Sequence, residues 1–195
     1  DAGPTHYSTE DFACFRSIIG CSIYTPYDNN DVKNIAEHLL EKTSFSYVRL
    51  DREDLPNIDF SSSSNFERGF RSVGNSFDDK VVVISHGKMV HRCLEAFKNN
   101  EKFVCINLIR SKPFPETLHK TIRKCKGVLV VDEQGESGGL ASCIFENFNK
   151  NDFFPKILNI CLPEKYIFDN GGRDYLLDIN GLSKKDIINK GKQLL

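Results

Sequence analysis

The first residues with a chemical use stand at the start of the chain. Asp1-Ala2-Gly3-Pro4-Thr5-His6 is a stiff Gly-Pro turn that delivers an imidazole just ahead of a helix start, a placement suited to a ligand contact or a proton transfer. A second candidate lies in Tyr47-Val48-Arg49-Leu50-Asp51-Arg52-Glu53-Asp54-Leu55-Pro56. There Arg52 follows a strand end, where its planar guanidinium can grip a carboxylate or phosphate. On residue type alone, His6 and Arg52 also read as ordinary surface residues. The other polar residues at strand ends are Ser85-His86-Gly87-Lys88, Arg110-Ser111-Lys112 and Asp132 through Gly139. Gly138-Gly139 can present bare N–H groups to an anion, but the spacing is neither G-x-G-x-x-G nor a Walker loop. A tight turn packing helix on sheet is the favoured reading. His86 and Glu133 read as loop-capping or interface residues, and His38, His91 and His119 as surface residues of helices. With no H-E-x-x-H, G-x-S-x-G or C-x-x-C motif, no metal site is expected from this chain alone.

These residues need elements to position them. Ser8-Thr9-Glu10-Asp11 has the form of a capping box, and Phe12, Phe15 and Ile19 follow at helical spacing, which predicts a helix over 9–18. A strand over 21–24 stops before Pro26. Asn29 and Asn30 are the candidate caps of a helix whose apolar positions are Val32, Ile35, Ala36, Leu39 and Leu40. A further strand covers 45–50. The stretch 57–80, with its run Ser61-Ser62-Ser63-Ser64-Asn65, reads as an interdomain connection with room for one short strand. From residue 81, strands at 81–85, 103–109, 127–131 and 156–161 alternate with helices at 88–99, 115–125 and 139–149 and a last helix capped by Ser183. That alternation predicts an α/β fold with a mainly parallel sheet and helices on both faces.

Composition narrows the class. With 195 residues, 39% hydrophobic and 27% charged, the chain is neither a disordered tail, a collagen nor a coiled coil. Twenty-six Lys+Arg against 27 Asp+Glu leave a net charge of -1, so no global field draws it to nucleic acid or anionic lipid. The longest apolar runs, 81–84 and 127–131, fall far short of the ~20 residues that span a bilayer. Seven cysteines, an odd number at scattered spacings, read as buried reduced thiols of a cytoplasmic protein. Residue 1 is Asp and no signal-peptide pattern follows, from which an upstream segment is expected.

Taken in order, these segments resemble the C-terminal half of transketolases. Gly3-Pro4-Thr5-His6 with Glu10-Asp11 and Phe15-Arg16-Ser17 is similar to that family's Asp-Gly-Pro-Thr-His turn and the helix after it. Tyr24-Thr25-Pro26-Tyr27-Asp28 is similar to its Pro-x-Asp, and Tyr47 through Pro56 to its Arg-bearing segment ending in Leu-Pro. Gly87 to Val90, Ile109 to Pro115 and Val131 to Ser142 are similar to its C-terminal domain.

The resemblance implies a division: 1–60 as the second half of a pyrimidine-binding domain, 61–79 as a linker, and 80–195 as the transketolase C-terminal domain. It implies thiamine diphosphate with Mg, bound by the full assembly and not by this chain alone. The family's ylid-forming Glu and its diphosphate and metal ligands belong upstream or to a partner, so the chain by itself is expected to be inactive and its own cofactor contacts are unknown. The implied reaction moves a two-carbon ketol unit from a ketose phosphate to an aldose phosphate. His6 matches the family His near the thiazolium and the substrate oxygen, and Arg52 the Arg that grips the sugar phosphate, with Arg49 as an auxiliary. The family's Asp directly precedes Gly-Pro-Thr-His, whereas here Ala2 holds that place and Asp1, one residue earlier, is the substrate-contact candidate. The implied partner is a second copy or an N-terminal diphosphate-binding subunit. Two other readings stand beside this one: a sister thiamine enzyme, such as deoxyxylulose-phosphate synthase or the β component of a 2-oxo-acid dehydrogenase, and a non-catalytic dimerisation or docking module. Half a domain over 1–60 is also expected to leave one sheet edge open.

Overall fold

The computed structural model describes residues 3–42, 44–58, 66–74 and 76–195. Asp1 and the Ser61 to Asn65 run therefore lie outside the described residues. The first elements are α1 (Asp11–Ser17), β1 (Ser22–Tyr24), α2 (Asn29–Glu41), β2 (Ser46–Val48), β3 (Phe70–Val73), β4 (Val81–Ser85) and α3 (Lys88–Ala96). They are followed by β5 (Phe103–Leu108), β6 (Arg110–Lys112), α4 (Leu118–Thr121), β7 (Gly127–Gly135), α5 (Leu140–Asn149), β8 (Ile157–Leu162), α6 (Arg173–Leu177) and α7 (Lys184–Lys192).

The continuous apolar runs form the centre of a five-stranded sheet of order β3-β5-β4-β7-β8. All of its pairings are parallel except β3 with β5, so the expected mainly parallel sheet is present. Because side chains alternate across a strand, Val82, Ile84, Val128 and Val130 face one layer with Cys143, Ile144 and Phe148 of α5. Val81, Val83, Leu129 and Val131 face the opposite layer, with Met89 and Cys93 of α3 and Ile187 of α7. Each such buried Val or Ile stabilises the fold by about 1.5 to 3 kcal/mol relative to exposure.

A second, three-stranded sheet has the order β2-β1-β6, with β6 antiparallel to β1. β6 leaves the large sheet directly after Ile109, whose carbonyl accepts the Thr25 N–H at 2.8 Å. It thereby closes one edge of β1 and ties the residues before 60 to the large sheet, while β2 ends the order.

Local chemistry departs from the sequence reading at several points. The capping box at Ser8 does not form: α1 starts at Asp11 with no side-chain cap, because Ser8 lies at φ +48° and the Asp11 carboxylate is taken by Tyr47 and Arg49. For α2 the cap is Asp28, whose carboxylate accepts the Asp31 N–H at 2.8 Å, and not Asn29 or Asn30. α3 stops at Ala96 because Asn99 turns to φ +63°. α4 is a single turn, since the backbone after it bonds to Asp79 and Lys80 instead of continuing the helix. His119 is buried rather than on the surface, and His91 is spent on the Tyr27 carbonyl, 2.7 Å from its Nε2. All seven cysteines are free, with Cys21, Cys93, Cys105 and Cys143 buried and Cys14 exposed.

At Gly138-Gly139 the geometry is that of a packing turn. Gly138 sits at φ +74°, and a Cβ there would stand 2.8 Å from the Cβ of Ala13 in α1. We expect Gly138→Ala to lower stability by about 2 to 4 kcal/mol, the sum of left-handed strain and overpacking. Urea denaturation checks this, and an unchanged midpoint would refute it.

Candidate functional site

β7 runs past the expected end at Val131 to Gly135, with a register shift against β8 over that stretch. The extension buries Asp132, Glu133 and Gln134, and each polar side chain is engaged. Asp132 accepts the Leu140 N–H at 2.8 Å, placing its charge at the start of α5, and lies 3.0 Å from Nε2 of His86. Burial raises the Asp132 pKa, but the His86 pairing and the helix N–H hold it below the ordinary carboxylate value.

Gln134 stitches down the segment that carries His6. Its Oε1 accepts the Phe12 N–H at 3.3 Å, its Nε2 donates to the Ser8 carbonyl at 2.9 Å, and the next N–H, of Gly135, donates to Thr9 at 3.0 Å. Upstream, Pro4–His6 form one 3-10 turn started by Gly3 at φ +76°. The His6 ring is exposed, with Nδ1 2.9 Å from the Thr5 hydroxyl.

Glu133 is the middle of a chain of alternating charges. It accepts from Arg173 Nε at 2.9 Å and from Arg49 at 3.4 Å, while Arg173 donates onward to both Asp51 oxygens at 2.7 and 2.9 Å. Arg49 donates to Asp11 at 3.1 Å, and the Tyr47 hydroxyl donates to the same Asp11 oxygen at 2.6 Å. Burial opposes the charge on both arginines, yet the Glu133 carboxylate and its neighbours hold both above their ordinary pKa. Asp51 is pushed up by burial and held below its usual value by the Arg173 guanidinium. Burial together with Asp11 pushes Tyr47 up to about 12.

These groups line one cavity of about 640 Å³ at the carboxyl ends of the strands, where α/β sheets bind ligands. His6, Arg49 and Arg52 all line it, so three of the four site residues expected from sequence meet there, and Asp1 lies outside the described residues. Their states differ. Arg49 is mostly buried and held by two carboxylates, whereas Arg52 is exposed and makes no ion pair with a described carboxylate. Sequence reading passed over Asp11, Asp51, Gln134 and Arg173 as site residues. Their position on strand ends and helix starts was visible, but their pairings join residues 36 to 126 apart. No group of three or more His, Cys, Asp or Glu side chains placed to hold a metal occurs among the described residues. The described residues thus offer no such cluster for the Mg of the implied cofactor.

The comparisons with known proteins agree with this architecture. Residues 74–187 match the model of the transketolase C-terminal domain. The chain is 25% identical over 98% of its length to the 1-deoxy-D-xylulose-5-phosphate synthase of Nitrosomonas europaea, of which it spans 31%. It is 22% identical over 93% of its length to a subunit of the apulose-4-phosphate transketolase of Phocaeicola vulgatus, spanning 60% of that protein. A solved structure described as a split gene transketolase, inactive beta4 tetramer, superposes with a TM-score of 0.85 at 21% identity, covering 99% of this chain and 64% of that one. The chain thus spans less than two thirds of the length of each of these relatives.

Proposed function

The chain belongs to the transketolase family, a family of enzymes, and from that premise we propose that it is the C-terminal part or subunit of a thiamine-diphosphate-dependent transketolase. In this reading a partner chain or further segment supplies the metal, the diphosphate contacts and the ylid-forming Glu, and the chain is inactive in isolation. Residues 1–60 complete a pyrimidine-binding domain, 61–79 connect, and 80–195 are the C-terminal domain; the family match over residues 74–187 supports the last of these. Two relatives are by name a subunit and a split-gene product, which supports a multi-chain assembly. No helix of the described residues is long and apolar enough to cross a membrane, and seven unpaired thiols suit a reducing cytoplasm.

The observation that carries the reading is the distribution of charge in the cavity. Arg49 and Arg173 are neutralised by carboxylates, which leaves Arg52 to receive an incoming dianion, as a sugar phosphate requires. His6 lines the same cavity and is the hydrogen-bond donor for a substrate oxygen. A second reading, deoxyxylulose-phosphate synthase, is favoured by the Nitrosomonas relative, and it differs in taking a 2-oxo acid that loses CO2.

The test is reconstitution with a diphosphate-binding partner chain, thiamine diphosphate and Mg. Ketol transfer from a ketose phosphate to an aldose phosphate is expected, whereas CO2 release from a 2-oxo acid would select the second reading. Turnover of neither kind would leave the docking module. In the active assembly, Arg52→Ala should lower kcat/KM for phosphorylated donors about 10- to 100-fold, the worth of one or two charge-assisted hydrogen bonds. Loss by the same factor for unphosphorylated donors would remove the phosphate role.

A further inference from the structure

Arg52 stands between two acidic neighbours in sequence, and both are tied down by cations from other elements. Asp51 is gripped by Arg173, which opens α6, at 2.7 and 2.9 Å. Glu53 accepts from Lys88, which opens α3, at 2.6 Å. The two clamps meet: Lys88 also lies 3.8 Å from Asp174, the residue after Arg173. Arg52 itself is left unpaired among the described carboxylates.

We propose that Arg173 and Lys88 are positioning residues that make the cavity selective for a phosphorylated substrate, acting on Arg52 through Asp51 and Glu53. This rests on the reading of Arg52 given above and adds the residues that enforce it. Two physical effects operate together. A long guanidinium on a free loop loses rotamer and backbone entropy when it closes on an anion, and a loop already pinned on both sides has lost most of it beforehand. Arg173 also neutralises Asp51 and Glu133, which both line the cavity. Without it Asp51 would stand as a bare carboxylate before the incoming phosphate and Glu133 would keep only its longer contact with Arg49, and both would repel the anion. The Arg173 clamp outranks that of Lys88. Asp51 and Glu133 are 12% and 8% exposed, whereas Glu53 is 53% exposed and its pair is screened by water.

The test uses the assembled enzyme with a phosphorylated donor and its dephosphorylated analogue. Arg173→Gln should raise KM for the phosphorylated donor about tenfold with little change in kcat, and leave KM for the analogue within about twofold. Lys88→Gln should do the same about threefold. Adding Asp51→Asn to Arg173→Gln should recover part of the loss, because the stranded carboxylate is removed; a merely structural defect would not be rescued. Equal losses for both donors, or a double variant whose losses add, would overturn the proposal. Should Arg173→Gln fail to fold, the Lys88→Gln donor comparison decides. If Arg52→Ala shows no preference between donors, the reading of Arg52 falls. If Arg52→Ala discriminates and the clamp variants do not, only the positioning role falls.

Discussion

His6→Ala in the assembled enzyme is expected to lower kcat about 100- to 1,000-fold while moving the donor KM by less than about fivefold. The imidazole is exposed on the cavity wall, and its Nδ1 is already held by the Thr5 hydroxyl, which leaves Nε2 for a substrate oxygen. Such a contact matters most when negative charge develops on that oxygen, so it appears in kcat rather than in ground-state affinity. The turn that presents it is rigid for identifiable reasons. Gly3 supplies the positive φ, the ring of Pro4 fixes its own φ, and the His6 N–H returns to the Gly3 carbonyl at 3.1 Å. The neighbouring Tyr7 hydroxyl donates to the Asp169 carbonyl at 3.3 Å, anchoring the turn's far side. His6→Gln puts an amide donor at about the reach of Nε2 and should recover roughly tenfold of the loss. Wild-type kcat in His6→Ala, under conditions where Arg52→Ala still impairs phosphorylated donors, would sink the role of the imidazole and leave that of the guanidinium standing.

What the sequence revealed, and what it hid, follows from how far apart the interacting groups lie. β4 and β7 were legible because a parallel strand covered on both faces must be apolar at every position, so Val81 to Ile84 and Val128 to Val131 declare themselves. The Ser183 cap was legible because a capping box spans only four residues, and Ser183 and Asp186 do exchange both bonds. Ser8 shows the limit of that rule. It has the same pattern, but Asp11 finds better partners in Tyr47 and Arg49, 36 and 38 residues away, which no local rule can see. The cavity shows the same contrast. His6 and Arg52 came into view through motifs similar to a family's, while the neutralisation of Arg49 by Glu133, 84 residues on, exists only once the residue after β2 meets the polar extension of β7. The extension of β7 through Asp132, Glu133 and Gln134 was hidden because three polar residues in a row read as a loop. They are buried only because each has a partner from another element.

The largest stability effect is expected where a charge is buried with too few partners. Asp31 in the first turn of α2 is fully buried, and Arg71 of β3 reaches it with NH1 3.3 Å from Oδ1 while also donating to the Tyr27 hydroxyl at 3.3 Å. Asn107 of β5 donates to the other Asp31 oxygen at 3.4 Å, and Asp28 caps the same turn. From α3, His91 contributes its contact with the Tyr27 carbonyl. Burial pushes the Asp31 carboxyl up to about 7; Arg71 pulls it down only in part, and Asp28 adds to the rise. A carboxyl with a folded pKa above its unfolded one binds more protons when folded. Its contribution is therefore full below about pH 4 and is lost as pH rises towards 7. Asp132 and Asp51 have depressed values and run the other way, contributing above the ordinary carboxylate range and losing it as pH falls. Comparison with Asp31→Asn isolates the single group: relative to wild type, the amide should gain about 2 to 3 kcal/mol of stability between pH 5 and pH 8. Arg71→Ala should cost about 3 to 5 kcal/mol at pH 8, where the carboxylate is stranded. At pH 5 the cost should be clearly smaller, because Asp31 already holds its proton. Urea denaturation of the full chain at the two pH values measures both differences. A wild-type-minus-Asp31→Asn difference that does not change between them would show that Asp31 titrates as an ordinary carboxylate and that the Arg71 pair, not burial, governs it.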